Sequence, residues 1–406
     1  MSETITLVDR TVIKKSHPFF KECENICFLS KNLYNATLYR VRQSFIFQKK
    51  YVNYYEMNRL FTHRNNPDYR ALPAKVSKAT MMLVDKDMKS FFALIKKKKN
   101  STYDKPVKLP KYAHKKMAHY EKSALSFRID GYVKLSKTEI VIPIRVPKES
   151  VSFVRIVPQG NHYVIEVGYK KEKQNTRDDN NRYASIDEGV NNLIALSSNI
   201  AQPLIINGKP LKSMNAFYNK KIAYHKSRLP KEVKTSKLIQ DLYRRRDHKI
   251  KNYIHKTANE VVNYLVSNRI NTLIIGKNDG WKQNMNIGKK NNQNFAYIPF
   301  DTLNKIIEYK CLIYGIRVVY QEESYTSKCS FMDNEDICKH DSYAGKRKHR
   351  GLFISSDGEV INADVNGAYN IMKKYLIKNA IWNDQLWSDC IQVCSTPHLT
   401  KVTPSW

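Results

Sequence analysis

The sequence predicts an α+β chain of more than one domain, and three observations predict it. Its 406 residues exceed the usual size of a single domain. Long stretches with helical spacing at 19–48 and 77–99 give way to period-two alternation between 124 and 170. Beyond residue 183, short apolar runs alternate with long helical stretches in an α/β order. Apolar residues make up 42% of the chain, enough for real cores, which argues against global disorder.

The first elements justify themselves locally. "TITLVDRTVIKK" (4–15) alternates and reads as a strand. In 19–48, Ile26, Leu29, Leu33, Ala36 and Tyr39 recur at helical spacing. Cys23 and Cys27 sit four apart on that helix and read as small core residues. The second helix, 77–99, has Ser77 as its expected N-cap. It ends in Lys96, Lys97, Lys98 and Lys99, a terminus suited both to the helix dipole and to phosphate. Pro106 and Pro110 break a basic loop, and four or five antiparallel strands follow over 124–170. Pairing strand 4–15 with that later sheet makes 16–123 a helical insertion into a β-barrel-like domain (1–15 and 124–180). The polar, charged stretch 170–182 reads as a linker.

The third region opens with "YASIDEGVNNLIALSSN", a strand, a tight loop and a strand. Two helices are expected at about 211–229 and 236–268. The second carries Leu242, Ile250, Ile254, Ala258, Val261 and Leu265 on one stripe, and Arg244, Arg245, Arg246, Lys249 and Lys251 elsewhere. Strand 272–276, helix 299–314, strand 316–321, strand 360–364 and helix 365–376 complete the order.

Charge bounds the partners. Seventy Lys and Arg face 37 Asp and Glu, a net charge of +33, which points to a polyanion. No stretch approaches a membrane-spanning length, and the N-terminus carries no apolar signal region, so no membrane role is expected. Seven cysteines without a framework spacing suit a reducing cytosol.

The chemistry rests on carboxylates. Asp187 and Asp364 each follow a predicted strand. One such Asp is usually a turn residue. Two of them in an α/β order match what two-metal phosphodiester hydrolysis needs, carboxylates converging from several strand ends on divalent ions. Mg²⁺ prefers such hard oxygen ligands. Strand 272–276 ends in Gly276, with no carboxylate at its end.

"SIDEGVNNLIALSSN", "IIGKNDGWKQNMNIGKKNNQNFAYIPF", "ESYTSKCS" and "NADVNGAYNI" together resemble the TnpB family. These are transposon-encoded RNA-guided DNA nucleases related to type V CRISPR effectors and Fanzor proteins. The resemblance is strong over about 181–377 and extends to the N-terminal half by domain order. It implies a β-barrel-like wedge domain with a helical recognition insertion (16–123). A RuvC-like nuclease of RNase H fold follows at 181–378, with its own helical insertion at about 211–268, and then a tail (379–406). Asp187 matches the family's first acid and Asp364 its last. The usual second acid ends a strand in patterns such as "IVIE", where this chain has "LIIG" and Gly276. Part of the family instead keeps a glutamate just before a "TSK" segment, and Glu323 in "QEESYTSK" matches it best. Glu322 and Asp279 are the alternatives.

The implied cofactor is Mg²⁺ or Mn²⁺, held by Asp187, Glu323 and Asp364. The family often carries a zinc ribbon of two Cys-x-x-Cys pairs. Here Cys329, Cys338, His340 and His349 fit no tetrahedral spacing, so 328–358 reads as a degenerate ribbon and zinc is not expected. Nucleic-acid contacts are expected from Lys96 to Lys99, Arg244, Arg245, Arg246, Lys249, Lys282, Lys328, Lys346 and Arg347. Trp281 reads as a loop anchor, and His255 as a structural hydrogen-bonding residue. The implied partners are a guide RNA from the mobile-element end and target double-stranded DNA. The implied location is a prokaryotic cytoplasm, at the nucleoid. The implied activity is RNA-guided DNA cleavage beside a short flanking motif. A nuclease-dead RNA-guided repressor and a strand-transfer transposase are the rival readings.

Overall fold

The computed structural model describes residues 4–277, 298–349, 351–394, 397–400 and 402. Asp279, Trp281 and Lys282 lie outside the described residues. The chain divides into two compact units, Met1–Glu172 and Lys173–Trp406.

In the first unit, β1 (Thr4–Ile13) precedes four helices: α1 (Phe20–Gln48), α2 (Tyr54–His63), α3 (Pro67–Arg70) and α4 (Ala74–Lys99). Six strands follow: β2 (Ala118–Glu121), β3 (Leu125–Ser126), β4 (Tyr132–Leu135), β5 (Val141–Pro143), β6 (Val151–Gln159) and β7 (His162–Glu172). β1 pairs antiparallel with β7 along its whole length, from Thr4↔Glu172 to Ile13↔Tyr163. The sheet order is β1-β7-β6-β2, and β3-β4-β5 form a separate sheet.

The expected barrel does not form: among the described residues no sheet closes on itself. Closure needs the two edge strands to pair. Here the edges are the ten-residue β1 and the four-residue β2, on opposite sides. The helices cover the sheet, so that Leu33, Leu38, Val76, Val84 and Met88 share one core with Val154, Ile156 and Ile165. Cys23 and Cys27 belong to that core. Ser77 is not an N-cap. Helix α4 begins at Ala74 behind Pro73, and the Ser77 hydroxyl donates to the Tyr69 carbonyl at 2.8 Å.

The second unit holds a sheet of β8 (Tyr183–Glu188), β9 (Asn192–Ser198), β10 (Leu204–Asn207), β11 (Thr272–Gly276), β12 (Arg317–Gln321) and β16 (His398–Thr400). Their order is β12-β11-β8-β9-β10-β16. β8, β11 and β12 run parallel, while β8, β9 and β10 are antiparallel neighbours. A small sheet of β13 (Lys346–His349), β14 (Leu352–Ile354) and β15 (Val360–Ile361) stands apart. The helices are α5 (Lys209–Lys226), α6 (Lys237–Ser267), α7 (Phe300–Ile313), α8 (Ala363–Lys378) and α9 (Asp384–Val393).

The run "TLIIG" is apolar throughout because helices cover both faces of β11. Leu273 and Ile275 join the core with α6 and α7, whereas Ile274 joins the core with α8. The α6 stripe read from spacing is the face that packs: Leu242, Ile250, Ile254, Ala258, Val261 and Leu265 are all buried. Among the described residues no helix is long and apolar enough to cross a membrane.

Candidate active site

Parallel β8, β11 and β12 end at one edge of the sheet, which brings distant residues into one row. Ile275 pairs with Ile186, and Gly276 pairs with Gln321. Asp187, Gly276 and Gln321 therefore stand side by side, with Glu323 two residues beyond Gln321. Gly276 faces the Glu323 carboxylate: a Cβ there would run into it, and would meet the Ile371 δ-methyl at 2.6 Å. The space a side chain at this end of β11 would enter is thus taken by a carboxylate from the segment after β12.

Helix α8 closes the row from above. Asp364 does not end a strand, as the sequence suggested. β15 stops at Ile361, and the Asn362 side chain caps α8 by accepting from Asp364 N at 3.0 Å and Val365 N at 3.3 Å. Cap formation competes with strand extension, because an Asn side chain offers the freed amides a partner. Asp364 lies in the first helical turn. The helix lies close on β8: Ser185 donates to the Ala368 carbonyl at 2.6 Å. A Cβ on Gly367 would come within 2.7 Å of Asp187 Oδ2.

Like charges crowd this site. Burial, then the charges of Glu323, Asp364 and Glu188, hold the Asp187 carboxyl well above its ordinary range, with Arg347 opposing them. Burial, then Glu322, lifts Glu323 to about 7. Asp364 is held by two other groups. Its Oδ1 accepts from Arg347 Nη2 at 3.2 Å, and its Oδ2 from Asn192 Nδ2 at 2.8 Å. Arg347, Asp364, Asn192, Lys209, Gly189 and Gly351 line a cavity of about 340 Å³. Among the described residues no three His, Cys, Asp or Glu side chains already stand in metal-holding geometry. The donor set nonetheless fits a hard divalent cation. All three groups are carboxylates, and a cation would relieve the repulsion that raises Asp187.

The two adjacent glutamates part company. Glu322 is exposed, and Lys374 of α8 donates to its Oε2 at 2.7 Å. That ion pair, with Ser324 bonds, holds Glu322 below its ordinary value against the effect of burial. α8 fastens the whole segment around Glu323. Asn370 Nδ2 donates to the Thr326 and Cys329 carbonyls at 2.9 and 2.7 Å, and Asn366 Nδ2 to the Cys329 carbonyl at 2.9 Å. Lys373, buried to 2% exposure, donates to the Asn334 and Glu335 carbonyls at 2.8 and 2.9 Å. Sequence reading missed Asn192 and these α8 residues. A signal existed: Asn366, Asn370 and Lys373 recur at i, i+4 and i+7 among the apolar residues of the helix's buried face.

The remaining candidates lie in varied settings. Lys96 to Lys99 are exposed at the end of α4. Arg244 and Arg245 form ion pairs with Asp241, and Arg246 is buried beside Asp247. Lys249 stands 6.0 Å from the Tyr218 ring. Lys328 and Lys346 are exposed, as is His255 on α6. In the 328–358 segment the buried Cys329 thiol donates to the Cys338 carbonyl at 3.7 Å, and Cys338 Sγ meets His340 Nε2 at 3.4 Å.

One prediction follows from the close approach at β11. Gly276→Ala should leave the fold intact, because the group it meets is the end of a flexible side chain. It should displace the Glu323 carboxylate and lower cleavage by roughly 10- to 10²-fold, the range that misplacing a reacting group by an ångström can reach. Cleavage rates with matched melting temperatures check this.

Comparison with known proteins supports the sequence resemblance. Residues 165–282 match the family OrfB_IS605, described as a probable transposase, and residues 300–371 match the Cas12f1-like TNB domain. The TnpB-like protein ORF457 of Acidianus two-tailed virus is 24% identical over 87% of this chain and 83% of its own length. Cas12f2, a CRISPR-associated endodeoxyribonuclease of Micrarchaeota archaeon (strain CG1_02_47_40), is 34% identical over 30% of this chain and 23% of its own. In fold, the chain is similar to the protein in the cryo-EM structure of the Cas12f1-sgRNA-target DNA complex. The TM-score is 0.52 at 15% identity, over 87% of this chain and 82% of that one. Two family matches in order, a relative aligned along most of both chains and a shared mixed α/β fold support the resemblance of this chain to the TnpB family.

Proposed function

We propose that the chain is an RNA-guided DNA endonuclease of a mobile element, with a RuvC-like nuclease of RNase H fold in its second unit. The observation that carries this is the gathering of Asp187, Glu323 and Asp364 at one sheet edge, with Glu323 set against Gly276. Similarity to the TnpB family and the relatives' names support the guided reading. Sequence would then be read by RNA–DNA pairing, and the net charge of +33 would hold backbone phosphates.

In the nuclease, Asp187, Glu323 and Asp364 would hold Mg²⁺ or Mn²⁺. The ions supply an activated water and charge stabilisation at the leaving oxygen. Glu323, lifted to about 7, and the raised Asp187 would give up their protons on holding a cation, which would relieve the repulsion between them. Arg347 and Asn192, which donate to Asp364, would release it to a ligand role. Arg347 and Lys209 line the cavity beside Asp364, where both would face a scissile phosphate. Asn362, as N-cap, keeps Asp364 aimed across the row.

The test is to purify the chain from cells carrying its element, sequence the copurifying RNA, and offer DNA matching its guide portion. Cleavage that requires both the RNA and Mg²⁺ or Mn²⁺ is expected. Guided binding without cleavage in any divalent cation would replace this reading with a repressor. Strand joining without RNA would replace it with a transposase.

A further inference from the structure

Helix α5 carries an exposed stripe that the proposed chemistry does not use. Its inner face is conventional: Leu211, Met214, Tyr218 and Ile222 are buried, the last two packing with Ile239 and Leu242 of α6. The outer face is not. Phe217 is 52% exposed and Tyr224 is 51% exposed, large rings on the side of a helix that should be polar. They stand seven residues apart, on one face and about 10 Å along the axis. A cation follows each ring by four residues, Lys221 on the helix and Arg228 in the turn just beyond its end. Lys221 Nζ lies 4.5 Å from the Phe217 ring centre, and the Arg228 guanidinium 3.9 Å from that of Tyr224.

The order along this face is therefore ring, cation, ring, cation. Each cation is attracted to the face of its ring, which holds both groups in place. Over 209–226 the helix has five lysines and no Asp or Glu. An acidic protein partner could match the charge, but it would not call for exposed rings spaced between the cations. An unpaired polynucleotide calls for both, since bases stack on aromatic rings while the backbone phosphates track positive charge. A duplex keeps its bases stacked inside and offers the rings nothing. The α6 cations differ, because Arg244 and Arg245 are ion-paired with Asp241 and Arg246 is buried.

We propose that the Phe217–Lys221–Tyr224 face of α5, with Arg228 of the turn that follows the helix, docks an unpaired stretch of nucleic acid, two bases stacking on the rings while Lys221 and Arg228 hold phosphates. This site goes beyond the nuclease reading and does not depend on it.

The experiment uses the full chain, freed of nucleic acid by high salt, without divalent cation. Fluorescence anisotropy measures the affinity for short labelled oligouridylate, for oligothymidylate and for a duplex of equal length. The double variant Phe217→Ala/Tyr224→Ala should lose at least about 10-fold in single-strand affinity, as stacking on two rings implies, with duplex affinity nearly unchanged. Phe217→Tyr/Tyr224→Phe should keep single-strand binding. A larger loss for oligouridylate would identify the strand as RNA, and a larger loss for oligothymidylate as DNA. A folding defect would weaken all probes together, so the ratio of single-strand to duplex affinity is the deciding readout. An unchanged ratio in the alanine variant overturns the proposal. Because no guide or cation is used, that failure would leave the nuclease reading standing. Failure of guided cleavage would in turn leave this site untouched.

Discussion

Asp187→Asn is expected to lower guided DNA cleavage by at least about 10³-fold, the scale of well-placed electrostatic groups in catalysis, while leaving the fold no less stable. Both halves come from the same environment. The side chain lies at the end of β8 against α8, where Gly367, having no Cβ, leaves room for a group of its size. Asparagine keeps that size. It removes a charge that burial and the neighbouring Glu323, Asp364 and Glu188 all oppose. A carboxyl whose value is raised on folding stabilises the fold only in its protonated form, and that contribution is lost as pH rises through the raised value. At pH values above the ordinary carboxyl range Asp187 therefore costs the metal-free fold stability, and its amide does not. Thermal unfolding of the metal-free variant should begin no earlier than wild type. Added Mg²⁺ should raise the wild-type melting temperature by binding the native state, and should do so far less in the variant. Normal cleavage by the variant would remove Asp187 from the chemistry, whatever the melting data showed.

The sequence carried some of this site plainly and hid the rest for physical reasons. Long helices and strands were readable because periodicity reports burial. The α6 stripe packs as its spacing implied, and the alternation of "TITLVDRTVI" gives a strand that pairs along its full length with β7. Short elements were not readable. α2 starts at a capping box of Asn53 and Glu56, a local signal easily lost in a polar stretch. The strand predicted into Asp364 ends three residues early, since the Asn362 side chain serves the helix amides better than a further ladder bond would. Sheet closure depends on which edges meet, and no local pattern states that. Asn192 and Arg347 approach Asp364 through the fold alone, 172 and 17 residues away in the chain. The split between Glu322 and Glu323 also needed three dimensions. Extended backbone says only that they point apart, not that Lys374 awaits one and Gly276 faces the other.

That split gives the second large effect. Glu323→Gln should lower cleavage by about 10² to 10³-fold, because the amide keeps volume and hydrogen bonding but loses the charge a cation needs. Gly276 has no side chain to supply instead, and the Glu323 carboxylate occupies the space where one would begin. Removing the neighbour should act differently. Glu322 faces solvent and Lys374, so Glu322→Gln weakens an exposed ion pair, an interaction usually worth little. The segment remains tied to α8 through Asn370 and the Thr326 and Cys329 carbonyls. Glu322→Gln should therefore cut within a few-fold of wild type, with Glu323 still in place. The double variant Glu323→Ala/Gly276→Asp adds a constructive check, since truncating Glu323 empties the space into which a β11 carboxylate would grow. Its rate should exceed that of Glu323→Ala alone. Equal damage from Glu322→Gln and Glu323→Gln would show that the ion pair with Lys374, and not the carboxylate above Gly276, is what this edge of the sheet requires.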